Sequence, residues 1–104
     1  MGIRMTQSTA MVLQAVSRGY RYGFDIMDAT GLRSGTIYPI LRRLEEAGLL
    51  RGRWERVAEA HRDNRPQRRL YEITAAGMDF LEEAAERLAQ TRVFLNSNTA
   101  SEKA

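Results

Sequence analysis

The run Ser34-Gly35-Thr36-Ile37-Tyr38-Pro39-Ile40-Leu41-Arg42-Arg43-Leu44-Glu45-Glu46-Ala47-Gly48 decides how the rest of the chain is read. A serine ahead of an apolar-periodic stretch and a glycine behind it are the start and stop signals of a helix. The spacing predicts a helix over 35–47, with Ser34 as N-cap, Gly48 as the C′ stop and Leu49 as the apolar contact that follows such a stop. With side chains advancing by about 100° per residue, Ile37, Ile40, Leu41 and Leu44 fall within one arc of roughly 100°. Gly35, Tyr38, Pro39, Arg42 and Glu46 fall on the other side. Pro39 removes one backbone donor, at a position early enough in the helix to limit the cost.

Upstream, Thr6 to Ser17 reads as a first helix capped by Thr6, with Thr9, Leu13 and Val16 near one face and Val12 beside them. Arg18-Gly19 ends it, Tyr20-Arg21-Tyr22 is a link, and a short second helix runs from about Gly23 to Ala29 with Gly31 as its stop. Downstream, Leu50 to Val57 alternates imperfectly and reads as an edge strand, Ala58 to Gln67 as a polar loop, and Arg68 to Ile73 as a second strand with Tyr71 and Ile73 facing one way. Thr74 then caps a long last helix, to about Leu95. In it Met78, Leu81, Ala85, Leu88, Arg92 and Leu95 are spaced 3-4-3-4-3, a coiled-coil-like seam interrupted at Arg92. Three helices, a hairpin with a long basic tip and a final helix make a mostly α chain: a winged helix-turn-helix over 1–73, a dimerisation helix over 74–95 and a tail over 96–104.

Charge sharpens this division. The chain has 104 residues and a net charge of +3. Residues 33–69 hold ten Arg against five acids, for +5, whereas residues 70–104 hold three bases against six acids, for −3. Such asymmetry points to two surfaces with different tasks. There is no cysteine, so neither a disulfide framework nor a thiolate metal site is available, and a reducing cytoplasm is compatible. No stretch approaches 18 apolar residues, so no membrane span is expected, and no signal peptide is visible. Met1-Gly2 with Thr6 matches a myristoylation pattern, though Thr6 is better explained as a helix cap. His61 stands alone in a polar loop with no second metal ligand nearby. Asp25, Asp28, Glu45 and Glu46 are helix-surface carboxylates with no base or nucleophile set around them, so no enzyme activity, metal or cofactor is expected.

In a helix-turn-helix the second helix lies in the major groove with its N-terminal residues at the base edges. Ser34, Gly35, Thr36, Tyr38, Pro39, Arg42 and Arg43 are therefore the expected reading face for double-stranded DNA. Gly35 and Thr36 are small enough for close approach to phosphate, and Arg42 reaches a guanine or a phosphate. The wing, 57–69, adds Arg62, Arg65, Arg68 and Arg69 for backbone or minor-groove contact. Each assignment has a plainer rival: a solvated Arg-rich loop, a surface tyrosine without a partner, and a last helix that folds back on its own domain rather than pairing with its copy. Trp54 suits core packing better than a ligand platform.

The runs Tyr22-Gly23-Phe24-Asp25-Ile26, Ser34 to Glu45, Ala47-Gly48-Leu49-Leu50 and Arg68-Arg69-Leu70-Tyr71-Glu72-Ile73-Thr74-Ala75-Ala76-Gly77 together resemble the PadR-like family of bacterial transcriptional regulators, over roughly residues 10 to 90. The run from Gly35 to Glu45 is the more specific; the Tyr71 to Gly77 run is shared with other winged-helix regulators. The resemblance implies a winged-helix homodimer that represses promoters and often answers to small aromatic or toxic compounds. Two departures stand out: a short segment between Ile26 and Gly35, and Leu70 where the family often has an aromatic residue. With one C-terminal helix, an effector pocket is expected only at the dimer interface. Trp54, Phe80 and Phe94 are its candidate lining residues, with core packing preferred for each. The leading expectation is a dimeric repressor at a palindromic operator, using the helix of 34–47 and the wing. The alternative is a winged-helix protein-interaction module that does not touch DNA.

Overall fold

The hydroxyl of Thr6 accepts the Thr9 amide at 3.1 Å and starts helix α1 (Gln7–Ser17) in the computed structural model, which describes residues 6–87. Thr9, Val12, Leu13, Ala15 and Val16 give α1 its buried face. Helix α2 (Gly23–Thr30) stops at Gly31, whose φ of 75° is left-handed. Helix α3 (Ser34–Glu46) buries Ile37, Ile40, Leu41 and Leu44, the arc expected from their spacing. It closes at Gly48 (φ 77°), where the Gly48 amide donates to Glu45 O at 3.0 Å and the Leu49 amide to Leu44 O at 2.9 Å. That is a Schellman closure, and it delivers Leu49 and Leu50 into the core.

Strands β1 (Leu50–Trp54) and β2 (Arg69–Ile73) pair antiparallel, from Leu50 opposite Ile73 to Trp54 opposite Arg69. The link before α2 joins them: Tyr22 bridges to Leu70, and the Tyr71 amide donates to Arg21 O at 2.8 Å. Thr74 then caps a fifth helix, α5, which runs over 75–87; its hydroxyl accepts the Gly77 amide at 3.0 Å and donates to Gly48 O at 2.7 Å. Here α5 crosses the α3–β1 corner so closely that a Cβ on Gly77 would overlap the Leu49 carbonyl. The core gathers the buried faces of α1, α2 and α3 with Leu49, Leu50 and Tyr71; Met27, Leu32, Ile73, Phe80 and Leu81 close its rim. Each fully buried Leu or Ile stabilises the fold by about 1.5–3 kcal/mol.

Three local expectations are corrected. Ser34 is the first helical residue of α3 rather than its cap; Arg33 (φ −82°, ψ 158°) is the cap, and no side chain caps the helix. The first strand ends at Trp54, not Val57, and the second begins at Arg69, not Arg68. The polar loop between them contains a helix, α4 (Val57–Arg62). It closes as α3 does, with Asn64 (φ 54°) in place of glycine: the Asn64 amide donates to His61 O and the Arg65 amide to Ala60 O, both at 3.0 Å. The charge of that segment therefore sits on an ordered scaffold.

Helix α5 divides the expected seam. Gly77 and Ala84 are buried and Phe80 and Leu81 half-buried against the protomer's own core, while Met78 (39% exposed) and Ala85 face outward. Leu88, Arg92, Phe94, Leu95 and the tail lie outside the described residues.

Candidate nucleic-acid interface

Burial of Ile37, Ile40, Leu41 and Leu44 turns the other side of α3 outward. Ser34, Gly35, Thr36, Tyr38, Pro39, Arg42 and Arg43 are all exposed on this one helix. No side-chain hydrogen bond caps α3, the Thr36 and Ile37 amides both donate to Arg33 O at 3.0 Å, and a helix N-terminus of this kind is suited to phosphate. Tyr38, 46% exposed, is positioned by a residue given no role in the sequence reading: its ring lies on Gly23, where a Cβ would come within 2.6 Å of the Tyr38 hydroxyl oxygen. Arg42 and Arg43 have no acidic partner among the described residues.

A cleft of about 440 Å³ separates α3 from β2, lined by Tyr38, Arg42, Glu45, Glu46, Arg69 and Tyr71. Arg69 crosses it to Glu45 at 2.8 Å, over Gly52, and so ties the sheet to α3. Burial pushes the Tyr71 phenol above its ordinary pKa. Trp54 is corrected as a core residue: it stands 61% exposed, with the Arg69 guanidinium 5.6 Å from its ring. Phe80 packs against the core.

The wing arginines fall into two groups. Arg62, on α4, is exposed and has no acidic partner among the described residues, as is also true of Arg51 and Arg56. Arg65 and Arg68 instead converge on Glu55, an acid given no role in the sequence reading and only 2% exposed. Arg65 grips both carboxylate oxygens, with Nη2 donating to Oε2 at 2.7 Å. The Arg68 amide donates to Oε1 at 3.3 Å, and the Tyr22 hydroxyl to Oε2 at 3.2 Å. Arg68 also lies 3.9 Å from the centre of the Tyr22 ring. The Arg65 hydrogen bonds foremost, helped by the Arg68 amide and Tyr22 and opposed by burial, hold the Glu55 carboxyl down at about 2, so it stays ionised and paired. The one sequence signal for this arrangement was Asn64-Arg65-Pro66, a residue tolerant of left-handed φ followed shortly by proline.

Among the described residues no group of three or more His, Asp or Glu side chains is placed to hold a metal ion, and no helix is long and apolar enough to cross a membrane.

Comparison with known proteins agrees with this geometry. A PadR-like transcription factor from Bacteroides fragilis superposes with a TM-score of 0.72 at 23% identity, covering 86% of each chain. A PadR family transcription regulator from Clostridium difficile R20291 superposes at 0.77 with 21% identity, covering 88% of this chain and 97% of that one. BpsR of Bordetella bronchiseptica, whose DNA binding is regulated by 6-hydroxynicotinic acid, matches at 0.63 with 22% identity over 85% of this chain and 60% of its own. No curated protein matches in sequence. These likenesses establish the fold, and the transcriptional regulator PadR-like family model matches residues 12–83. The chain, with the polar side of α3 exposed and a basic wing, thus belongs to the PadR-like family of DNA-binding transcriptional regulators and is not an enzyme.

Proposed function

We propose that this protein is a dimeric cytoplasmic repressor that binds a palindromic operator through α3 and the wing. The observation that carries the reading is the sorting of α3: every buried side chain is apolar, and Gly35, Thr36, Tyr38, Arg42 and Arg43 share its exposed side. A two-fold dimer offers two such helices to half-sites one helical turn apart. Residues 1–73 form the DNA-binding part and 74–95 the dimerisation helix, with Met78, Ala85 and the later seam positions Leu88, Arg92 and Leu95 meeting their copies and Leu81 divided between its own core and the partner. Within the wing, Arg62 is the leading phosphate contact. Arg65, Arg68 and Arg69 serve first as internal ties, because their guanidinium groups are already committed to Glu55 and Glu45.

A small aromatic effector at the dimer interface fits the same reading, by extension from BpsR. Trp54 is exposed and reports its arrival through fluorescence quenching; silence across a panel of planar aromatic acids rejects the effector. The DNA reading is tested by titrating the duplex upstream of its own reading frame at low and moderate salt. A specific complex that weakens with salt is expected. Arg42→Ala should weaken it by about 1–3 kcal/mol without altering the circular dichroism spectrum. Wild-type affinity in Arg42→Ala and Tyr38→Ala together rejects this reading face.

A further inference from the structure

Glu55 is the one buried acid among the described residues. Desolvating a carboxylate is costly, and even a well-paired buried ion pair is often no more stabilising than apolar side chains of the same volume. Stability alone therefore does not account for it. What an ion pair adds is direction, since its hydrogen bonds fix where the donors lie. Those of Glu55 come from three parts of the chain: Tyr22 at the entry to α2, Arg65 at the closure of α4, and Arg68 just before β2. Gln67 adds a bond from its amide nitrogen to the Glu55 carbonyl at 2.5 Å, and the Glu55 amide donates to Arg68 O at 2.8 Å. Tyr22 is the residue before Gly23, the seat of Tyr38. One carboxylate thus connects the wing helix to the support of the reading helix.

We propose that Glu55 is a positioning residue for DNA binding. It holds α4 at a fixed attitude to α3, so that Arg62 meets phosphate while Tyr38 and Arg42 are in the groove, and it touches no DNA itself. This rests on the reading above that the wing contacts phosphate.

The test measures operator affinity against salt for the full chain, using the upstream duplex, for wild type, Glu55→Gln, Tyr22→Phe, Arg62→Ala and the Glu55→Gln/Arg62→Ala pair. Arg62→Ala should flatten the slope of log K against log salt by about 0.9, one phosphate contact. Glu55→Gln should flatten it at least as much, although it removes a negative charge, and the pair should be no flatter than Glu55→Gln alone. A merely structural Glu55 would lower the melting temperature and leave the slope unchanged. Tyr22→Phe keeps the ring beneath Arg68 and removes a single hydrogen bond; it should shift the slope the same way by less, and it carries the test if Glu55→Gln does not fold. A steeper slope in Glu55→Gln, from Arg65 and Arg68 released to phosphate, overturns the proposal, as do an unchanged slope and additivity in the pair. If wild type forms no salt-dependent complex, or Arg62→Ala keeps the full slope, the wing reading falls and this inference with it. If Arg62→Ala flattens the slope and Glu55→Gln and Tyr22→Phe do not, the inference falls alone.

Discussion

Replacing Gly23 by alanine should separate binding from stability. Gly23 is the first residue of α2 and is buried beneath the Tyr38 ring. An added Cβ would sit 2.6 Å from the Tyr38 hydroxyl oxygen, 2.9 Å from Cε1 and 3.0 Å from Cζ. Ordinary contacts between such atoms are about 3.5–4.0 Å, so the phenol tip must retreat by roughly 1 Å. Tyr38 is 46% exposed, so it retreats into solvent and the core is not strained. The helix itself gains, since glycine is less favourable than alanine in a helix by about 0.5–1 kcal/mol, with the smaller figure apt at a first-turn position. The melting temperature should therefore hold or rise by a few degrees. Binding should move the other way. A hydrogen bond from the Tyr38 hydroxyl to a phosphate is worth about 1.5–3 kcal/mol, so its loss weakens operator binding about tenfold to a hundredfold per contact. Fluorescence anisotropy with the labelled upstream duplex measures the affinity, and circular dichroism melting measures the stability. Tyr38→Phe isolates the hydroxyl, and the Gly23→Ala/Tyr38→Phe pair should bind no more weakly than the poorer single variant. A folded Gly23→Ala protein that binds within about threefold of wild type refutes the argument. So does a clear fall in melting temperature, which would mean that the ring is wedged and cannot yield.

Other perturbations follow from the packing and the ionisation. Leu44 is fully buried, and Leu44→Ala should cost about 2–5 kcal/mol, read as a lower urea midpoint. Gly77→Ala forces a methyl group against the Leu49 carbonyl, where backbone has to move, and should cost about 1–3 kcal/mol in the same assay. The Glu55 carboxyl is lowered from 4.5 to about 2, so its contribution is complete above pH 4.5 and fades as pH falls toward 2. Wild type should thus exceed Glu55→Gln in melting temperature at pH 6, and the two curves should converge as pH approaches 2; a constant gap across that range contradicts the pairing.

Where the sequence could be read and where it could not follows the range of each interaction. The apolar arc of α3, the Thr74 cap and the Gly48 stop are local: a few residues carry both the signal and its cause. The cap of α3 slipped by one residue because Gly31 and half-buried Leu32 fix the chain direction before Ser34, leaving Arg33 as the last extended residue. Helix α4 was hidden because six residues are too few to show a period, and because its end depends on Asn64 and on an ion pair ten residues apart. Trp54 was expected inside because large aromatic residues usually pack, yet β1 has one covered face and Trp54 lies at its open end.

The charge arithmetic changes most once the partners are known. The +5 of residues 33–69 suggests a uniformly cationic surface. In the fold, Glu45 and Glu55 pair with Arg69, Arg65 and Arg68, Glu72 pairs with Arg53 at the surface, and Arg33, Arg42, Arg43, Arg51, Arg56 and Arg62 stay exposed with no acidic partner among the described residues. A regulator must prefer one site over a great excess of others, and each free arginine strengthens binding to every sequence alike through phosphate. Spending three arginines on internal ties therefore trades non-specific affinity for geometry. Glu45 ties the sheet to α3, and Glu55 ties the end of α4 to Tyr22, next to the seat of Tyr38. With both ties in place, α3 and the wing, on the proposed reading, offer their remaining charges in a fixed relation. On that reading, a duplex whose groove and backbone match this arrangement satisfies all of them at once, and others satisfy fewer.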